Sequence, residues 1–296
     1  MGEKDITEKV LENFNDVFAD IINVLIFDGE EVIKPEQLLN AVARADYKEA
    51  NKTREMERDV EKFWEKGGIR FAVYGIENQT KPIKDMPIRM IGYDGISYRQ
   101  QMDQDDAYRG QRYPVISLVL YYGHKQRWSQ PKSLSELLPD MDERLKPFFH
   151  DYAINLFEIA YLEDETVSKF KSDFRFVADF FVQRRKTGNY KPLPDKVKHL
   201  SQLCRLLSVM TSDDSFENAY LSLQDKGESN MCDVVDKIVE SGRIEGREGT
   251  ALNMLRRLIK RQQPIDSQSI ADIAEDAELS VDRVRELAQD NGLALQ

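Results

Sequence analysis

Val60-Glu61-Lys62-Phe63-Trp64-Glu65-Lys66-Gly67-Gly68-Ile69-Arg70-Phe71-Ala72-Val73-Tyr74-Gly75-Ile76-Glu77 is the stretch that decides the fold. Two runs rich in aromatic and β-branched residues flank a Gly-Gly pair, and tandem glycines supply the positive φ angles that a tight hairpin turn requires. The stretch therefore predicts two antiparallel strands around Gly67-Gly68.

Acids sit at one end of this hairpin. Arg58-Asp59 precedes the first strand and Glu77-Asn78-Gln79 closes the second. Glu77 and Gln79 are two apart, so on a strand they share a face. Asp16, on a helix predicted upstream, adds a third carboxylate. Two strand acids and one helix acid can hold a hard divalent cation, which takes oxygen ligands and leaves room for water and phosphate. That is the chemistry of phosphodiester hydrolysis. Acids at this spacing also occur on solvated hairpins, so the residues alone leave both readings open.

Upstream, residues 4–27 carry Val10, Phe14, Val17, Phe18, Ile21, Ile22 and Leu25 at helical spacing, predicting an amphipathic helix that stops before Asp28-Gly29. Residues 35–51, opening at Pro35, read as a short second helix, and the polar stretch 48–57 as a connector. Downstream, 86–102 predicts a helix with Pro87 in its first turn, 113–122 a buried strand and 154–161 a further strand. From 163 onward the pattern is helical.

The fold class expected is α/β, a central mixed sheet flanked by helices over residues 1–205, with a linker at 206–230 and an all-helical C-terminal region at 231–296. That region begins with a long helix, 231–262, softened by Gly242, Gly246 and Gly249. It ends in two helices, 266–277 and 280–290, of helix-turn-helix proportions. The long helix reads as a connector or a self-association element, which makes a homo-oligomer through the C-terminal helices an expected partner. In the last helix Asp282, Glu286 and Asp290 outweigh Arg283 and Arg285, which favours packing over insertion into a DNA groove.

Composition narrows the function classes. The chain has 296 residues, with 42 Lys and Arg against 53 Asp and Glu and a formal net charge of −11. That sign excludes coating a polyanion by charge alone. The middle third is nonetheless the relatively basic one, and residues 167–200 include the run Arg184-Arg185-Lys186. No apolar run approaches the roughly 20 residues that cross a bilayer, so no membrane partner is expected. The first fifteen residues lack the basic-then-apolar pattern of a secretory signal, which predicts a cytoplasmic protein. Cys204 and Cys232 form no CxxC, and His124, His150 and His199 are far apart, which argues against a disulfide scaffold or zinc module. No Ser or Cys nucleophile motif supports covalent catalysis.

The pieces Arg58-Asp59-Val60, Gly75-Ile76-Glu77-Asn78-Gln79-Thr80, Asp85-Met86-Pro87-Ile88-Arg89, Gly92-Tyr93-Asp94-Gly95 and Ser97-Tyr98-Arg99 together resemble the recombination-promoting nuclease / putative transposase family of the PD-(D/E)XK nuclease superfamily. The resemblance continues less distinctively to about residue 200. It implies a restriction-endonuclease-like core, DNA as partner, and Mg²⁺ or Mn²⁺ held by Asp59 and Glu77 with Asp16 assisting. Gln79 stands where many members carry Lys. A glutamine can position water but cannot stabilise developing negative charge as a cation does, so the metal, Lys81 or Arg89 would supply that part.

The expected function is a divalent-metal-dependent DNA endonuclease with Asp59, Glu77 and Gln79 at its catalytic centre. Arg89, Tyr93, Tyr98 and Arg99 on the helix that follows are candidate phosphate contacts, equally readable as packed or solvated side chains, and Arg184 and Arg185 further on are candidates for which a solvated helix end is the favoured reading. Asp85 reads as a helix cap, and neither it nor Asp94 is assigned to metal. The alternative function is a nuclease-fold protein that has lost cleavage and binds DNA or a protein partner as a regulator. A cut-and-paste transposase follows only from the family's name, since such enzymes carry the last acid of their triad on a helix rather than a hairpin strand.

Overall fold

The computed structural model describes residues 11–41, 44–49, 52–57, 59–103, 111–138, 140–224, 230–261 and 263–293. Two compact units divide the chain, Met1–Cys232 and Asp233–Gln296.

Among its described residues the first unit has seven strands: β1 (Leu38–Asn40), β2 (Arg44–Glu49), β3 (Lys52–Glu57), β4 (Val60–Lys66), β5 (Ile69–Gln79), β6 (Val115–Tyr121) and β7 (Asn155–Glu158). Five of them make one mixed sheet in the order β1-β4-β5-β6-β7, and β2 and β3 pair as a separate ribbon. The hairpin expected from the sequence is β4–β5, paired from Val60↔Ile76 to Lys66↔Ile69. Its turn uses Gly67 and Gly68 at φ 63° and 77°, values costly for any residue with a Cβ. β5 and β6 run parallel, joined by α2 (Met86–Asp103).

β5 is buried continuously from Ala72 to Asn78 because both faces of the sheet are covered. On one face Met86, Met90 and Tyr93 of α2 pack with Val119, Tyr121, Trp128 and Ile154. On the other lie α1 (Asn15–Phe27) and α5 (Phe174–Thr187), with the Tyr122 and Phe181 rings 5.4 Å apart. Lys62 is wholly buried there and donates to the Asn13 carbonyl, Asn15 Oδ1 and Asn40 Oδ1 at 2.9, 2.8 and 2.5 Å, fastening the start of α1 and the end of β1 to β4. Burial pulls its ammonium down to about 8.

Three expectations are corrected. Residues 35–51 are not a helix: a single 3₁₀ turn at Pro35–Gln37 leads into β1 and β2, and the polar stretch 48–57 lies largely in the β2–β3 ribbon. The edge of β4 decides this, because Leu38, Leu39 and Asn40 gain backbone pairing with Trp64, Phe63 and Lys62 that outweighs helical propensity. The expected strand 154–161 stops at Glu158, at the sheet's edge, and tightens into a 3₁₀ turn at Ile159–Tyr161. The expected linker 206–230 instead contains the end of α6 (Leu200–Thr211) and all of α7 (Ser215–Leu223). Leu206, Leu207, Met210 and Phe216 are buried there, and the Phe216 ring packs edge-on against Phe180 of α5 at 5.6 Å. The N-terminal helix is present at residues 11–12 and again as α1, interrupted at 13–14; residues 4–10 of that prediction, and Arg58, lie outside the described residues.

Two short helices, α3 (Leu134–Leu137) and α4 (Asp164–Lys169), complete the first unit. The second unit contains most of α8 (Met231–Lys260), followed by α9 (Ser267–Asp276) and α10 (Val281–Asp290). Its core gathers Ala251, Leu255, Ile270, Ile273, Val284 and Leu287. Asp266 and Ser280 cap α9 and α10 by accepting from the Ser269 and Arg283 backbone N–H groups. Arg283 is held by Glu248 and Glu286, and Arg285 by Asp282. Among the described residues no helix is long and apolar enough to cross a membrane.

Candidate active site

The register of the β4–β5 hairpin sets the site. Val60 pairs with Ile76, so Asp59, one residue earlier, falls opposite Glu77. Asp59 Oδ2 accepts from the Asn78 backbone N–H at 2.7 Å, which fixes it to the end of β5. Glu77 is only 1% exposed and faces α2. Its Oε1 lies 2.7 Å from Arg89 Nη2 and accepts from Gln79 Nε2 at 3.0 Å.

Arg89 comes from the first turn of α2 and is itself steered by Tyr93 one turn on, donating from Nε to the phenol oxygen at 2.9 Å. Burial, with the Glu77 charge adding to it, pushes the Tyr93 phenol above its ordinary range. The same side of α2 continues at four-residue spacing. Ser97 donates to Glu61 Oε1 at 2.7 Å, and the Gln101 amide both accepts from and donates to the Tyr113 backbone at 3.0 and 3.1 Å. Asp94 accepts from Tyr152 at 2.7 Å and from Ser117, and so serves the packing of α2.

Because side chains alternate along a strand, Asn78 points to the other face, toward Glu12. Asn78 Nδ2 donates to Glu12 Oε2 at 2.7 Å and the Tyr122 hydroxyl lies 3.0 Å from Glu12 Oε1. Glu12 is fully buried, and burial, reinforced by the Asp59 charge and opposed by those two hydrogen bonds, pushes its carboxyl up to about 8. Asn78 Oδ1 is buried with no hydrogen-bond partner among the described residues.

The expected trio of Asp16, Asp59 and Glu77 does not assemble. Asp16 is bound by Lys198 Nζ at 2.7 Å and His199 Nε2 at 3.3 Å, and against the upward push of partial burial these two hold its carboxyl below the usual range. The His199 ring in turn stacks on Phe14 at 3.7 Å. The break at residues 13–14 lets Glu12 reach the sheet while the first turn of α1 presents Asp16 to the start of α6. Among the described residues no group of three or more His, Cys, Asp or Glu is arranged to hold a metal ion. The donor set that remains is Asp59 and Glu77, two carboxylates on adjacent strands, which suits a hard divalent cation completed by water and phosphate oxygens. A cationic group already contacts Glu77, in the form of Arg89.

The other residues singled out from the sequence are placed apart from this pair. Tyr98 is half-exposed and its hydroxyl accepts from the Val115 backbone N–H at 3.1 Å, and Arg99 is exposed on the outer side of α2. Arg184 lies over the Phe180 ring at 5.5 Å. Arg185 donates to the Ala160 carbonyl at 2.6 Å and covers the Tyr161 ring, holding the turn after β7. Tyr93, a candidate phosphate contact by sequence, instead holds Arg89 beside Glu77; sequence reasoning passed over Glu12, Asn78 and Tyr122 as site residues, and Glu12 has no local signal that separates it from Glu3 or Glu8.

In a comparison with known families, a model described as "Putative transposase, YhgA-like" matches residues 66–216, just over half of the chain. The matched span runs from the β4–β5 turn through α6 and includes Glu77, Gln79 and Arg89, while Asp59 and Glu12 fall before it. No curated protein and no solved structure matches.

Proposed function

The chain belongs to the family of putative transposases, YhgA-like, and from that membership and the site's geometry we propose that it is a divalent-metal-dependent DNA endonuclease built on a PD-(D/E)XK core and acting in the cytoplasm. The observation that carries the proposal is the pairing of Asp59 and Glu77 at the end of two adjacent antiparallel strands, with Gln79 on the Glu77 carboxylate. The five-stranded mixed sheet with helices on both faces supports the core.

Asp59 and Glu77 would hold Mg²⁺ or Mn²⁺. When bound, such an ion polarises a phosphodiester and lowers the pKa of a coordinated water. The protein's own groups do the positioning. Gln79 orients Glu77 from the same strand face. The Asn78 backbone N–H fixes Asp59, and Glu12, a neutral acid through most of the physiological range, anchors the Asn78 side chain from behind. Arg99, exposed on α2, and Arg184 are available for phosphate oxygens at low cost, since neither has to leave a charged partner in the contacts described above. A homo-oligomer through the C-terminal helices is proposed on the exposed Val239 and Ile244 of α8.

Plasmid nicking tests the reading. Supercoiled DNA should be cleaved with Mg²⁺ or Mn²⁺, and both excess chelator and Glu77→Ala should stop cleavage. Nicking that survives either treatment defeats it. Gln79 supports a second reading, a nuclease fold that binds DNA or protein without cutting, because a glutamine supplies no positive charge at that position. DNA binding by the pure protein without cleavage in either metal would select that reading.

A further inference from the structure

Glu77 is the most deeply buried carboxylate of the strand pair, and its Oε1 is already doubly engaged, by the Arg89 guanidinium at 2.7 Å and the Gln79 amide at 3.0 Å. A carboxylate oxygen has two lone pairs in its plane, so an oxygen that accepts from two donors has none left for a metal. Arg89 is held differently from Glu77. Two-fifths of its side chain is exposed, and its Nε bond to Tyr93 gives the guanidinium a second anchor besides Glu77.

On these contacts we infer that Arg89 is a resident counter-ion of Glu77 that a divalent cation displaces, and that the displaced guanidinium turns to the phosphodiester being cut. The inference rests on the metal reading above and adds to it a positioning residue and an order of events. Three features support the exchange. A cation at Asp59 and Glu77 and a guanidinium on Glu77 Oε1 are like charges on one carboxylate and repel each other. The released group is a planar fork suited to two phosphate oxygens at once. It also restores, from α2, the positive charge that Gln79 does not provide on β5. Arg89 thus keeps the buried carboxylate compensated until metal arrives, and afterwards faces the substrate's charge.

The test is Mn²⁺ binding to the full chain without DNA, followed by electron paramagnetic resonance, in the wild type and in Arg89→Met, Arg89→Lys, Tyr93→Phe and Glu77→Ala. Arg89→Met should bind Mn²⁺ about tenfold more tightly, in the range that groups around metal ligands command, yet cut DNA more slowly at saturating Mn²⁺, with Arg89→Lys recovering part of the rate. Tyr93→Phe, which keeps the ring and removes the tether, should shift Mn²⁺ affinity in the same direction by a smaller factor, and covers the case in which Arg89→Met does not fold. Damage to the fold would weaken binding in both variants, not tighten it. Mn²⁺ affinity that is unchanged or weaker in Arg89→Met and Tyr93→Phe overturns the inference. If that happens while Glu77→Ala still loses Mn²⁺, the counter-ion exchange fails and the metal reading stands; if Glu77→Ala binds Mn²⁺ as the wild type does, the metal reading fails with it.

Discussion

Glu77 and Glu12 lie at the same end of the sheet, both within 1% of complete burial, on opposite faces of β5. Toward α2, Glu77 meets the Arg89 guanidinium. Toward α1, Glu12 meets an amide and a phenol, and its carboxyl rises to about 8. Burial alone disfavours a carboxylate, and a cationic partner or several hydrogen-bond donors offset that cost. One strand end thus presents a carboxylate paired with a cation and another whose carboxyl is pushed up to about 8, on the two faces either side of β5.

The largest effect that tests this contrast comes from removing the charged member. Glu77→Ala should abolish metal-dependent nicking and also lower stability by roughly 2–4 kcal/mol in urea titration, because Arg89 loses its carboxylate. The cost sits below that of a fully buried pair since Arg89 remains partly exposed. A variant that keeps both stability and nicking would mean that the ion pair is a surface contact of no consequence.

Glu12 should respond differently to the same kind of change. Glu12→Gln keeps the shape and neutrality of the protonated acid, with one amide atom accepting from Asn78 and another donating to the Tyr122 oxygen. Near pH 6 it should be within about 1 kcal/mol of the wild type, while Glu12→Ala should cost about 2–4 kcal/mol through the cavity and the stranded Asn78 amide. The pH dependence separates the two further. The folded carboxyl at about 8 binds its proton more tightly than the unfolded one at 4.5, so the wild type loses stability as pH rises between those values. The slope is at most about 1.4 kcal/mol per pH unit. Glu12→Gln lacks this loss, so its stability relative to the wild type should climb from pH 5 to pH 8. A flat difference across that window would show Glu12 to be ionised in the folded protein.

How much of this was legible in advance depends on the range of the interactions involved. The β4–β5 hairpin declares itself locally, through Gly67-Gly68 and the runs beside it, and α2 and β6 follow from periods contained in 86–102 and 113–122. β1 does not, because Leu38–Asn40 is a strand only by virtue of the β4 edge it covers. The same division holds at the site. Asp59, Glu77 and Gln79 belong to one hairpin and are found by counting along it. The partners of Glu12 are 66 and 110 residues away, so periodicity cannot distinguish it from any other acid near the N-terminus. Asp16 attracted notice as the acid on a clear amphipathic helix, and only the packing of α6 against it reveals Lys198 and His199 as its partners.

Gln79 offers a smaller test of the charged face. Gln79→Ala removes one of two donors to Glu77 Oε1 and leaves Arg89 in place, so nicking at saturating metal should fall by about tenfold, equal to roughly 1.4 kcal/mol in the barrier. Loss to background would instead make Gln79 as central as the acids.

The smallest effect is expected at Asp16, and it decides which acid of the N-terminal segment serves the site. Asp16 is partly exposed and paired to Lys198, which is more exposed still, so Asp16→Asn should cost no more than about 1 kcal/mol after solvent screening. The depressed carboxyl makes that contribution present at neutral pH and lost on acidification through its titration range, so wild type and variant should converge as the pH falls. Mn²⁺ affinity should be unchanged, since Asp16 contacts Lys198 and His199 and neither strand acid in the contacts above. Glu12→Ala, which unseats Asn78 beside Asp59, should weaken Mn²⁺ binding in the same assay. The reverse pattern, with Mn²⁺ sensitive to Asp16→Asn and indifferent to Glu12→Ala, would return the helical acid of the site to the position first read from the sequence.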